Sequence, residues 1–147
     1  MAITEAKFYG GFFQSLCNKE IDLDTDVIKL MWCTSGYTPN QDTHRYKSSV
    51  TSEVTGTGYT AGGATVGSMA VTYDAGTNVL KIDGADVSWP TVTFTGARVG
   101  VLYDSSPASD ATRPLIGYIV SDTDISPSAG PVNVTWDAGG IATVTVA

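Results

Sequence analysis

The segment Val27 to Cys33, VIKLMWC, restricts the fold more than any other. Read as a strand, it places Ile28, Leu30 and Trp32 on one face and Val27, Met31 and Cys33 on the other, with only Lys29 interrupting. A strand that is apolar on both faces must be covered on both faces, so this one belongs inside a sheet and not at its edge. An acidic turn, Asp22 to Asp26, leads into it. About thirty residues with almost no apolar periodicity follow, as far as Gly63. They carry Tyr37, Tyr46 and Tyr59 among Gly, Ser, Thr, Asn and Pro. That composition favours ordered contact over a flexible linker, and the expectation is a buried anchor strand followed by a displayed loop. Folding of the loop back onto its own domain is the alternative.

The segment before the acidic turn has a helical pattern. Thr4 is a suitable N-cap, Glu5 suits the positive end of the dipole, and Ile3 and Phe8 have the spacing of a hydrophobic staple, which predicts a helix from about Glu5 to Cys17. Phe8, Phe12 and Leu16 form one stripe and Tyr9, Phe13 and Cys17 the next. Gly10 and Gly11 would each cost a helix interior roughly 1 kcal/mol, so packing must hold it. Another chain could supply that packing.

After Gly63 the period becomes two. Met69, Val71 and Tyr73 alternate, Asp74 to Asn78 turns about Gly76, and Val79 to Ile82 returns, which predicts a hairpin. A second hairpin is expected from Thr91–Thr95 and Arg98–Tyr103, joined at Gly96. Leu115 to Val120 is again apolar on both faces and should be the other central strand. Val132–Trp136, a turn at Asp137–Gly140, and Ile141–Val146 close the chain. The reading is a mainly β fold: an antiparallel β-sandwich or barrel-like jelly roll of about eight strands with one N-terminal helix. A parallel sheet would need crossover helices that the sequence lacks. One domain is expected over 1–147, with a helical arm at 1–20, the anchor strand and long loop at 21–63, and a β-sandwich body at 64–147.

Charge narrows the function. Fifteen acidic against eight basic side chains give a net charge of −7, which disfavours direct contact with nucleic acid. The charged fraction of 16% is low, and a neutral, hydroxyl-rich surface suits a protein partly covered by other subunits. No basic leader with an apolar run opens the chain and no long apolar span occurs in it, so neither secretion by that route nor membrane insertion is expected. Cys17 and Cys33 read most simply as two reduced, packed thiols, with a disulfide between them left open.

Motifs for chemistry are incomplete. Asp22, Asp24 and Asp26 form D-x-D-x-D, the first half of a calcium loop, but Val27 and Cys33 stand where its Gly and bidentate Glu should be, so a solvated acidic turn is the better reading. His44 is the sole histidine and no G-x-S-x-G accompanies it. The cysteines lack C-x-x-C spacing. G-T-G-Y-T-A-G-G at 56–63 is not followed by Lys-Ser/Thr or a helix, so its glycines are conformational. Asn133-Val134-Thr135 is a sequon within a strand. Asp104 and Asp110 could be imagined as the carboxylates of a glycan hydrolase, though nothing in their spacing requires it.

Taken together, DTDVIKLMWCTSGYTPNQDTHRY (24–46), SEVTGTGYTAGG (52–63), LIGYIVSD (115–122) and WDAGGIATV (136–144) resemble a family of small structural proteins of tailed bacteriophages. The resemblance implies a non-enzymatic virion component without a cofactor. It would be a decoration or minor capsid protein assembled in the host cytoplasm, laid on the outer surface of the head against the major capsid protein, as a homo-oligomer there. A tail, collar or head-fibre protein binding a host receptor or glycan is the alternative. The expected contact residues are Tyr9, Phe13, Tyr37, Tyr46 and Tyr59, whose rings exceed what local structure can bury.

Overall fold

The computed structural model describes residues 1–147. Its chain is mainly β, with antiparallel sheets, one α-helix and a 3-10 turn at Lys47–Ser49. Strand β1 (Ile3–Phe8) precedes helix α1 (Gly10–Cys17), and β2 (Ile28–Thr34) precedes the long connection. After it come β3 (Ala64–Thr65), β4 (Ala70–Asp74), β5 (Val79–Asp83), β6 (Val87–Val92), β7 (Ala97–Asp104), β8 (Leu115–Ile125), β9 (Gly130–Val134) and β10 (Ala142–Thr145). Three sheets result, in the orders β1-β8-β7-β2-β3, β10-β5-β4 and β6-β9, and none closes into a barrel. Ten strands replace the eight expected, the additions being β1 and the two-residue β3.

Both two-faced strands lie inside the five-stranded sheet, β8 between β1 and β7, and β2 between β7 and β3. Their pattern is explained by two separate cores. On one face Ile28, Leu30, Trp32, Leu102 and Ile116 join the larger core, together with residues of the two small sheets such as Ile82, Val87, Trp89 and Val132. On the other face Met31, Cys33, Val99, Val101, Leu115 and Tyr118 join Tyr9 and Tyr37 in a second core. Val27, expected on that second face, precedes the strand and is exposed. No helix is long and apolar enough to cross a membrane.

The predicted helix from Glu5 is half wrong. Residues Ile3–Phe8 pair antiparallel with β8, Ala6 opposite Ile119 and Phe8 opposite Gly117. Tyr9 is extended (φ −73°, ψ 139°) and the helix begins only at Gly10. The two glycines therefore fall in the first turn, where they interrupt helix propensity least, and sheet pairing takes the residues before them. Gly11 has its own reason to lack a side chain, since a Cβ there would stand 2.8 Å from Arg45 Cγ.

The β4–β5 hairpin forms as expected, with Gly76 N–H bonded to Asp74 Oδ1 at 2.8 Å and Asn78 at φ 57°. The second expected hairpin does not form. Strand β6 lies earlier than expected and pairs with β9, while β7 pairs with β2 and β8, so the turn at Gly96 carries the chain from one sheet to another. Strand β10 likewise pairs with β5 and not with its predecessor β9. Pro90 sits in β6 where the register with β9 shifts, a position that tolerates a missing N–H.

Cys17 is exposed and Cys33 buried, both free, so the expectation that both pack away fails for Cys17. Burial pushes the Cys33 thiol up to about 12. A thiol reagent at pH 8 is therefore expected to label Cys17 at once and Cys33 only as the chain unfolds; equal labelling rates would contradict this burial.

Candidate functional site

Most residues of the long connection are exposed, but its tyrosines turn inward. Tyr37, 3% exposed, lies in the second core, and its hydroxyl bonds the Tyr9 hydroxyl at 2.8 Å and His44 Nδ1 at 3.0 Å. His44 stacks on the Tyr37 ring, which makes it a structural partner of this network. Burial pushes the Tyr37 hydroxyl up to about 12 and raises that of Tyr9 further. Tyr59 is half-buried on the opposite side of the sheet, against Trp89 and Phe94. Its hydroxyl accepts the Trp32 N–H at 3.0 Å and donates to Glu53 Oε1 at 2.9 Å.

Tyr46 is half-buried and donates to Glu20 Oε2 at 3.1 Å, beside an Arg45–Glu20 ion pair at 2.8 Å. Burial alone would raise Glu20, but hydrogen bonds from Ser15 and Tyr46 and the charge of Arg45 hold it below the usual carboxylate range. This network fastens the connection to the end of α1. Of the five expected contact residues, Tyr9 and Tyr37 belong to the core, Tyr46 and Tyr59 have intramolecular roles, and only Phe13 is exposed. The three tyrosine hydroxyls of the loop are satisfied within the chain.

Phe13 leads instead to a different surface. Its ring meets Phe8 edge-on with centroids 5.4 Å apart. Phe8 in turn lines an apolar cavity of about 130 Å³ together with Leu30, Ile119, Trp136, Ile141 and Ala142. Ala142 lies opposite Ile82, which is a core residue, so the face of the three-stranded sheet that carries Ala142 is its core-facing side. Leu80 and Val144 are opposite one another two residues further on, and Tyr73 is opposite Leu80. Residues paired across strands share a face, so Tyr73, Leu80 and Val144 form a row on that same side. Yet Tyr73 is 53% and Val144 38% exposed, because the sheet extends past the core that covers its other end. Thr72, Lys81 and Thr143 make the outward row polar. The result is an apolar tract running from Phe13 past Phe8 and the cavity to Val144, Leu80 and Tyr73.

Alternation places Val71 and Tyr73 on one face, but it carries no signal for how far a sheet overhangs its core. Such a tract, combining aromatic and aliphatic groups, can bind another protein by excluding water.

The second concavity is a polar groove of about 480 Å³ over the outer face of β1, β8 and β7, with Glu5, Lys7, Asn40, Arg98 and Tyr118 in its wall. Lys7 pairs with Glu5, and Arg98 with Asp124 at 3.1 Å. The acidic turn is bonded within itself and to β4: Asp26 Oδ2 accepts the Asp22 N–H at 2.7 Å, and Asp24 Oδ1 accepts the Val71 N–H at 2.9 Å. Asp110 is paired with Lys47 and Arg113 on the surface, whereas Asp104 is fully buried. Asn133 Oδ1 accepts a bond from the Ser88 hydroxyl across the β6–β9 pair. Comparison of the chain with protein-family models, with curated proteins and with solved structures gives no match.

Proposed function

We propose that this chain is a non-enzymatic structural protein of a tailed-phage virion, a decoration or minor capsid protein that binds the outer surface of the major capsid protein shell. The observation that supports the reading best is the apolar tract of Phe13, Val144 and Tyr73, which the chain leaves to solvent beside half-buried Leu80 although its own core lies alongside. The small sheets packed over the five-stranded sheet correspond to a sandwich-like body, rigid enough to present such a surface without reorganising. A cement of this kind acts by binding energy alone. It buries surface across the seams between shell subunits and so opposes their separation. The acidic net charge fits an outer position, away from packaged DNA.

Phe13→Ser, Tyr73→Ser and Val144→Ser chains are expected to keep the wild-type melting temperature within a few degrees, since each removes an exposed group. Their occupancy of shells stripped of the native protein should fall, an interface anchor being worth about 1 to 4 kcal/mol, or roughly five- to several-hundredfold in affinity. Wild-type occupancy by all three variants across a concentration series would remove the tract as the contact. The polar groove favours the second reading, a tail, collar or head-fibre protein binding a glycan, because Asn40, Gln41, Arg98 and Glu5 are the side-chain types that recognise hydroxyls. Glycan-array binding that Arg98→Ala abolishes, with no affinity for shells, would establish that reading instead.

A further inference from the structure

Asp104 is the chain's one fully buried carboxyl group, and the mechanism of surface binding makes no use of it. It ends β7 opposite Ile28 of β2. Oδ1 accepts the Ser106 N–H at 2.8 Å, while Oδ2 is buried without a donor. The carboxylate brought beside it is that of Asp26 in the acidic turn: Val27, the next residue, bonds Ser106, the same residue whose N–H bonds Asp104, and the charge of Asp26 acts on Asp104. Around the pair the turn and the segment after β7 are stitched together. Val27 N–H bonds Ser106 Oγ at 2.7 Å, and both the N–H and the hydroxyl of Ser105 bond the Val27 carbonyl at 2.9 and 2.7 Å. Asp104 is buried and Asp26 half-buried, and an ionised carboxylate in the first position carries an electrostatic penalty beside a second one.

We propose that the proton on buried Asp104 is a pH-sensitive latch, held between Oδ2 and the carboxylate of Asp26, that joins the Asp22–Asp26 turn to the segment after β7. Protonated, Asp104 donates from Oδ2 to Asp26, which completes the hydrogen bonding of the buried oxygen. Deprotonated, it leaves two like charges side by side, and the turn is pushed outward.

The surrounding charges give no compensating cation. From the turn, Asp22 presents its amide to Asp26; from β2 the facing residue is Ile28, and Lys29 is opposite Tyr103 on the other side of the sheet. From the segment after β7, Ser105 and Ser106 are neutral, and the cations near it, Lys47 and Arg113, are both paired with Asp110. Burial first, and then the charge of Asp26, push the Asp104 carboxyl up to about 6. A folded value above the ordinary carboxylate value means that the stabilisation is fully present below about pH 4 and is lost as pH rises through about 6.

Thermal unfolding of wild type and Asp104→Asn between pH 4 and 8 tests the latch. Asn donates to Asp26 at every pH, so the two proteins should melt together near pH 4 and separate as pH rises, with Asp104→Asn the more stable at pH 8. The corresponding change in their relative folding constants is about fiftyfold. Asp26→Asn should also remove the fall, because its amide donates to ionised Asp104, and it serves as the second variant if Asp104→Asn does not fold. Hydrogen exchange in residues 22–27, corrected for intrinsic rates, should quicken above pH 6 in wild type only. A melting difference that does not change with pH would overturn the proposal. So would calcium at pH 8 raising the wild-type melting temperature by many degrees, an increase lost on adding EDTA or in Asp104→Asn, because the pair would then be a cation site.

Discussion

A Gly63→Ala chain is expected to lose at least about 4 kcal/mol of stability, a large share of the roughly 5 to 15 kcal/mol that hold a domain folded. Gly63 has φ +80°, and a Cβ there would stand 1.9 Å from the Leu30 carbonyl oxygen and 2.6 Å from Met31 Cα. Both atoms belong to β2, which is fixed on one side by β7 and packed on both faces, so the clash cannot be relieved by turning a side chain. The cost has two parts, and Gly96 separates them. It has φ +73°, and a methyl group added there would meet nothing within 4 Å, so Gly96→Ala should cost only the about 1 to 2 kcal/mol of the left-handed conformation. Denaturant melts of the two variants give the comparison directly; equal losses would mean that β2 yields to the methyl group. A Cβ added at Gly56 or Gly58 would likewise stand 1.8 or 2.2 Å from the carbonyl oxygen of Thr93 or Thr91. The glycine-rich run 56–63 is therefore where this connection lays its backbone against two strands.

The second large effect concerns Tyr59. Tyr59→Ala should destabilise the chain by about 3 to 5 kcal/mol, the usual cost of removing an aromatic ring from packed surroundings. The ring stacks on Trp89 at 6.2 Å and meets Phe94 edge-on at 5.8 Å. Its hydroxyl is the acceptor for the Trp32 amide and a donor to Glu53, whose Oε1 also receives the Gly62 N–H. Tyr59→Phe removes only the hydroxyl and should cost about 1 to 3 kcal/mol, the penalty of a buried amide without its acceptor. The ratio of the two losses, read from chemical denaturation, distinguishes packing from hydrogen bonding. Were Tyr59 a surface anchor for a partner, Tyr59→Ala would melt with the wild type, and that outcome would contradict the placement described above.

The fold is legible where the signal is local or where it concerns burial. Strands β2 and β8 stand out because an apolar residue at nearly every position has no stable place at a sheet edge, and both are internal. The β4–β5 hairpin is legible because Asp74, Gly76 and Asn78 have turn chemistry of their own. Partner choice is not. Val92 and Phe94 alternate with threonine whether the next strand folds back or crosses to another sheet, and period two is the same in both cases. Helix α1 is overextended in the sequence reading because Thr4 and Glu5 satisfy local capping rules, while the competing attraction is the distant β8.

The candidate contact surface is the least legible part. Tyrosines in a loop of hydroxyls and amides suit a partner and suit folding back equally well, and only the empty second face of the sheet decides between them. Tyr37 and Tyr9 fill that face. Tyr73 and Val144 give the opposite impression, reading as inward residues of regular strands, because alternation assigns a side and not an extent of cover.

The pairing order has a further consequence, for how quickly the chain can reach its native state. Ala6 lies opposite Ile119 and Leu30 opposite Leu102, so β1 and the central edge of β2 find their neighbours only late in the chain, β2 having just the two-residue β3 before then. During synthesis β1 and β2 emerge long before β7 and β8 exist, and closing such long loops costs entropy before any contact repays it. Folding on the millisecond-to-second scale typical of non-local β proteins follows, and until β7 arrives the apolar residues of β2 depend on other cover. The β4–β5 hairpin is the local unit that emerges first, and it carries exposed Tyr73 opposite half-buried Leu80 from the start.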